Sequence, residues 1–182
     1  MKAIDVANFF ITLCSHNPEN DLTNLKLNKL VYYAQAWYLV KTGKPLFPEQ
    51  IEAWDFGPVV NSVYSSFESV GSYEILRDTY GSFSEEDIPD DALDILMDVY
   101  FNYGKYAASY LVTLTHVKGG PWDAVYKDGE KHIPIPNDSI KEYFEAHMDE
   151  FDTLDIDSSK IPTAGYVDED KVTVVPREIY GE

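Results

Sequence analysis

Cysteine is nearly absent: Cys14 is the only one in 182 residues. That excludes an internal disulfide framework and any zinc site built on thiolates. No stretch of about eighteen apolar residues occurs, so no membrane-spanning helix is expected. Asp5 and Asn8 interrupt the N-terminal apolar residues, which excludes the unbroken core of a signal peptide. A soluble, cytoplasmic protein is the expectation. The four histidines form neither HxxxH nor HExxH, and there is no Gly-rich phosphate loop and no Gly-x-Ser-x-Gly. We therefore expect no metal, no cofactor and no catalytic residue, and so no enzyme.

Basic residues are also few. Fourteen stand against thirty-two acids, for a formal charge of −18. Residues 1–83 hold nine acids and six bases, whereas residues 84–182 hold twenty-three acids and eight bases. Lys26 and Lys29 are the nearest approach to a basic cluster, so direct nucleic-acid binding is not expected. An acidic surface repels phosphates and favours a protein partner with a basic surface.

Hydrophobic residues make up 45% of the chain and aromatic residues 14%, enough for a sizeable core without staples. The pattern predicts a mainly α fold, a compact bundle of about six helices with a few short β-strands and an acidic C-terminal extension. Val6, Phe9, Phe10 and Leu13 recur at helical spacing, and Asn17-Pro18 ends that helix near His16. Cys14, late in it, reads as a small core residue. Thr23 or Asp21 can cap the next helix. Its Leu27, Leu30, Val31, Ala34, Trp37 and Tyr38 form one stripe, with Tyr33 and Leu39 off it. This reads as the central helix, and Gly43 closes it.

Ile51–Phe56 reads as a short strand or extended arm. Gly57-Pro58 is expected to restart a helix with Pro58 in its first turn and Val60, Val63, Tyr64 and Phe67 on its apolar face. Pro89 then opens a long helix with Leu93, Leu96, Val99, Tyr100 and Tyr103 inward, after a capping box at Ser84 and Asp87. Gly104 separates it from a helix carrying Ala107, Tyr110, Leu111 and Leu114. Gly119-Gly120-Pro121 stops that one, and Pro134 and Pro136 force extended backbone. Asn137 or Asp138 caps a last helix with Ile140, Tyr143, Phe144, His147, Met148 and Phe151. Residues 1–151 form the expected domain. Residues 152–182 are an acidic appendage in which Lys171–Val175 can make a strand or hairpin.

One acidic constellation has defined spacing. Asp87, Asp90, Asp91, Asp94 and Asp98 fall on overlapping i, i+3 and i+4 positions, so Asp90, Asp94 and Asp98 would stack along one helix face. Such a row can be a solvated outer surface or a docking face for lysines and arginines.

Four segments carry a resemblance. Leu25–Trp37 (LKLNKLVYYAQAW) is followed by Glu52–Val60 (EAWDFGPVV) and Val63-Tyr64, then by Leu114-Thr115-His116 and Gly120-Pro121-Trp122. Their order and spacing over roughly residues 3–151 resembles the Panacea domain family, which includes SocA-like and phage-associated GepA-like proteins. The resemblance implies a mainly helical domain, found in prophages and toxin–antitoxin loci, that neutralises partner proteins by direct contact. SocA-like members are adaptors that deliver a toxin to a ClpXP-type protease, and no catalytic residues belong to the family. It also points to Trp54, Gly57, Pro58, His116 and Trp122 as partner-binding or architectural residues, alongside the acidic row. Gly57-Pro58 would fix how the following helix leaves the arm, and Trp54, His116 and Trp122 could share one aromatic-polar cluster. The acidic appendage after Phe151, with the concentration of charge in the second half of the chain, departs from the family pattern. It sustains an alternative, a phage-encoded inhibitor that blocks the basic DNA-binding surface of a CRISPR nuclease, in effect a DNA mimic.

The dispersed histidines and single thiol predict that elemental analysis of the purified protein finds no stoichiometric metal. One tightly held zinc or iron per chain would overturn the non-enzymatic expectation.

Overall fold

The computed structural model describes residues 1–15, 21–76 and 88–148, together with the backbone of 166–167 and 173–174. Among these residues the chain forms six helices: α1 (Ala3–Cys14), α2 (Asn24–Thr42), α3 (Asn61–Phe67), α4 (Asp90–Tyr103), α5 (Ala108–Thr115) and α6 (Asn137–Ala146). A three-stranded antiparallel sheet joins them, ordered β2-β1-β3, from β1 (Ile51–Trp54), β2 (Gly57–Val59) and β3 (Ile133–Ile135). Two short antiparallel strands, β4 (Tyr166–Val167) and β5 (Thr173–Val174), pair within the C-terminal segment. None of the helices among the described residues is long and apolar enough to cross a membrane.

The central helix is α2, as its two-sided apolar pattern predicts. It touches all five other helices and strand β2. Thr23 caps it by accepting a hydrogen bond from the Lys26 amide, and Gly43 ends it in the left-handed conformation at φ 70°. The positive φ suits a residue without Cβ. Leu27, Leu30, Val31, Ala34 and Tyr38 are all buried, while Trp37 is half-buried and donates its indole N–H to the Tyr103 hydroxyl. Tyr33 stacks on Tyr103 at 4.0 Å and meets Phe144 edge-on, tying α2 to α4 and α6. Cys14 is buried at the end of α1, where loss of solvation pushes its thiol up to about 11, so it stays protonated.

Five expectations are corrected here. Gly57-Pro58 does not begin a helix: both residues lie in β2, and α3 starts at Asn61 behind Val60. A proline φ fits an edge strand as well as a first helical turn, and β2 is an edge. In α4 the inward stripe is Ala92, Ile95, Leu96, Val99 and Tyr103; Leu93 is 36% exposed and Tyr100 half-buried. On α6, Ile140 and Phe144 are the buried pair, whereas Met148 is exposed. Asn137 is the first helical residue behind Pro136 and does not cap; its side-chain oxygen accepts from Gln35 Nε2 at 3.2 Å. Ala107 precedes α5 and is exposed. Ser84, Asp87 and Phe151 lie outside the described residues.

Leu30 is fully buried on the central helix. Leu30→Ala should therefore lower unfolding free energy by about 2–5 kcal/mol in a denaturant titration. A loss below about 0.5 kcal/mol would place α2 at the periphery.

Candidate functional site

The residues singled out by the sequence converge on a hairpin elbow held by α2. Lys26 and Lys29, the nearest approach to a basic cluster in the sequence, are 1% and 0% exposed. Lys26 forms an ion pair with Asp21. Lys29 donates from Nζ to the Pro58 carbonyl at 2.9 Å. Asn28 accepts from the Val60 amide at 3.1 Å and donates back to the carbonyl and side chain of Asn24. Asn24 in turn donates to the Tyr64 carbonyl at 3.0 Å. Thus Asn28 and Lys29 of LKLNKL satisfy main-chain groups of Val60 and β2, and Asn24 just before them satisfies one of α3. Unpaired buried groups of that kind cost about 1–3 kcal/mol each.

Gly57 sits at φ 95° in the same elbow. A Cβ there would lie 2.5 Å from Thr115 Oγ1, 3.1 Å from Lys29 Cε and 3.3 Å from His116 Cε1. No side chain fits, and the positive φ disfavours one in any case. The Leu114-Thr115-His116 segment therefore closes directly over the elbow.

His116 faces the Val112 carbonyl at 2.7 Å through Nδ1 and the Asp55 carbonyl at 3.0 Å through Nε2. Its ring packs on Trp122, centroids 3.8 Å apart, and Trp122 stacks on Tyr126 at 4.3 Å. Trp122 donates its indole N–H to the Trp54 carbonyl at 2.8 Å, and the Tyr126 hydroxyl donates to Asp55 Oδ1 at 2.9 Å. The structure thus unites His116 and Trp122, with Trp54 joined through its backbone. The Trp54 ring takes another course. In β1 the buried residues are Ile51 and Ala53, so Glu52 and Trp54 share the opposite face. Trp54 donates to Glu52 Oε2 at 2.8 Å and packs beside Tyr64 at 4.8 Å and His132 at 5.9 Å.

On that face lies a cleft of about 650 Å³. Trp54, Tyr64, Glu68, Ser72, Glu130 and His132 are among the residues lining it. Periodicity gave no sign of it, because its walls come from α2, the hairpin, α3 and the loop before β3. The positive φ of His132, 60° in a non-glycine residue, is a feature only a structure reveals. Among the described residues, no three of His, Cys, Asp and Glu stand close enough to hold a metal ion.

The acidic row lies elsewhere, on α4. Asp91 accepts from the Tyr38 hydroxyl at 2.9 Å, and Asp98 pairs with Lys41 at 3.0 Å, so two of its members brace α4 against α2. Asp94 is exposed. Asp90 opens the helix, and Asp87 lies outside the described residues.

The sequence profile described as "Antitoxin SocA-like, Panacea domain" matches residues 27–123, from inside α2 to just past Trp122. The chain belongs to this family. It is also 36% identical over 112 residues to a protein named Antitoxin SocA from Caulobacter vibrioides (strain NA1000 / CB15N). That alignment covers 57% of this chain and 60% of the relative, so the chain spans less than two thirds of the relative's length. No solved structure matches. The family match contains the elbow-forming residues Lys29, Gly57, Pro58, His116 and Trp122. It leaves α1 and α6 outside.

Lys29 supplies a pH test of the elbow. Burial pushes its ammonium from 10.5 down to about 7. Between those values the unfolded chain holds a proton that the folded chain has released. Stability should therefore rise with pH across about 7 to 10.5, by up to about 1.4 kcal/mol per unit. Denaturant midpoints of wild type and Lys29→Met, compared from pH 6.5 to 9.5, should show this rise only in wild type. Parallel curves would mean that Lys29 keeps its proton in the fold.

Proposed function

We propose that this protein is an antitoxin-type binder that neutralises a partner protein by contact and performs no chemistry of its own. The observation that carries this reading is the use made of the family's polar residues. Asn28, Lys29 and His116 all turn to main-chain oxygens or amides of the elbow. General acids, bases and nucleophiles need a free atom aimed at a substrate. These residues instead set the shape of a rigid presenting surface. Membership in a family described as SocA-like antitoxins, and the named antitoxin relative, support the same reading. The nuclease-inhibitor alternative rests on charge alone, and the matches lend it no support.

The partner proposed is a protein with a basic surface. The net charge of −18 favours fast, salt-sensitive association with such a partner. Exposed α4 acids can contribute to that attraction even where Lys41 offsets one of them.

Co-expression with a toxin encoded beside this gene should restore growth of the host, and the two proteins should co-purify. Toxicity undiminished by the wild-type chain would overturn the antitoxin reading. A variant combining Asp90→Asn, Asp94→Asn and Asp98→Asn should keep its helical circular dichroism while associating at least tenfold more slowly at low salt. An unchanged rate and salt slope would confine those acids to solvation.

A further inference from the structure

The cleft beside the hairpin has chemistry that selects its occupant. Building on the antitoxin reading, we propose that it receives a lysine or arginine side chain, with flanking residues, from the partner protein. The walls Trp54 and Tyr64 are aromatic and half-buried, and aromatic faces attract cations. Asp55, Glu68 and Glu130 line the same cleft with one ammonium, Lys131, so carboxylates outnumber fixed positive charges. Asp55 is held by Tyr126 through Oδ1, and Glu130 lies 3.5 Å from Lys127. Glu68 is exposed, on the turn that follows α3. It lies close enough to Tyr64 to help raise the phenol, second to burial.

The cleft's amides are already engaged. Asn24 and Asn28 donate to protein oxygens, and Asn28 accepts from Val60, which makes them poor readers of a neutral polar ligand. One wall is also held in place at a conformational cost. His132 sits at φ 60°, and its Nδ1 meets Glu52 Oε2 at 2.8 Å, the oxygen that also accepts from Trp54. Glu52 thus fixes both Trp54 and His132. Non-glycine residues in this backbone region concentrate at ligand clamps and active sites. The volume, about 650 Å³, exceeds a single side chain and falls in the range of sites that enclose short peptide segments or small ligands.

The test uses the full chain and two synthetic peptides, Ac-Gly-Leu-Arg-Leu-Gly-NH2 and its counterpart with glutamate in place of arginine. Binding is followed by the indole N–H resonance of Trp54 and by calorimetry. The arginine peptide should shift that resonance and bind at least tenfold more tightly than the glutamate peptide. Glu68→Lys, at an exposed position, and Ser72→Trp, which fills the cleft from its rim, should each weaken binding at least tenfold with circular dichroism unchanged. Equal binding of the two peptides, a silent Trp54 resonance, or full binding by folded Ser72→Trp would overturn the proposal. Neutralisation in cells separates it from the antitoxin reading. If Ser72→Trp neutralises as well as wild type, the cleft assignment falls and the antitoxin reading stands. If wild type fails to neutralise, the antitoxin reading falls, and with it the partner-protein identity of the occupant.

Discussion

A fully buried lysine that donates to a main-chain carbonyl organises much of this fold. Lys29 sits on the most enclosed helix and, among the described residues, donates to the Pro58 carbonyl alone. Its position is costly in isolation, since desolvation disfavours the charged form. It persists because β2 needs a donor at that point and α2 is the element that passes beneath it. Asn24 and Asn28, one turn apart, answer the same need for α3 and Val60. The helix therefore serves two purposes along its length. Its N-terminal half is a polar scaffold for irregular backbone, and its C-terminal half is an aromatic and aliphatic core around Tyr33 and Tyr38.

This division explains what could be read from the sequence and what could not. Leu27, Leu30, Val31 and Ala34 carry their burial in their spacing, so the central helix was legible. Lys26 and Lys29 carry the opposite message, because charged residues are rarely enclosed and their partners lie far along the chain. Gly57-Pro58 was ambiguous for a related reason. Its local preferences suit a helix start and a strand equally, and the deciding contact comes from a helix some thirty residues earlier. In α4 Leu96, Val99 and Tyr103 were read correctly, and packing on α2 turns Ala92 and Ile95 inward in place of Leu93 and Tyr100.

The candidate site divides in the same manner. The pairing of His116 with Trp122 was legible as a cluster, since both belong to segments that travel together in the family pattern. The cleft was not, because Tyr64, Glu68, Ser72 and His132 have no shared periodicity and meet only once the hairpin folds back. The acidic row combines an external and an internal use. Its spacing is real, yet Asp91 and Asp98 are drawn into contacts with Tyr38 and Lys41, so part of the charge that looks external also joins two helices.

Gln35 gives the fold a property of another kind. Its side-chain oxygen accepts from the Leu46 and Phe47 amides, while its nitrogen reaches the Phe47 carbonyl and Asn137 at the start of α6. One amide group thus ties the loop after α2 to a helix about a hundred residues away. Because the bonds to both neighbours converge on one planar amide, replacing Gln35 would leave polar groups unpaired on both sides at once. The loop and the first turn of α6 therefore share one anchor on the central helix.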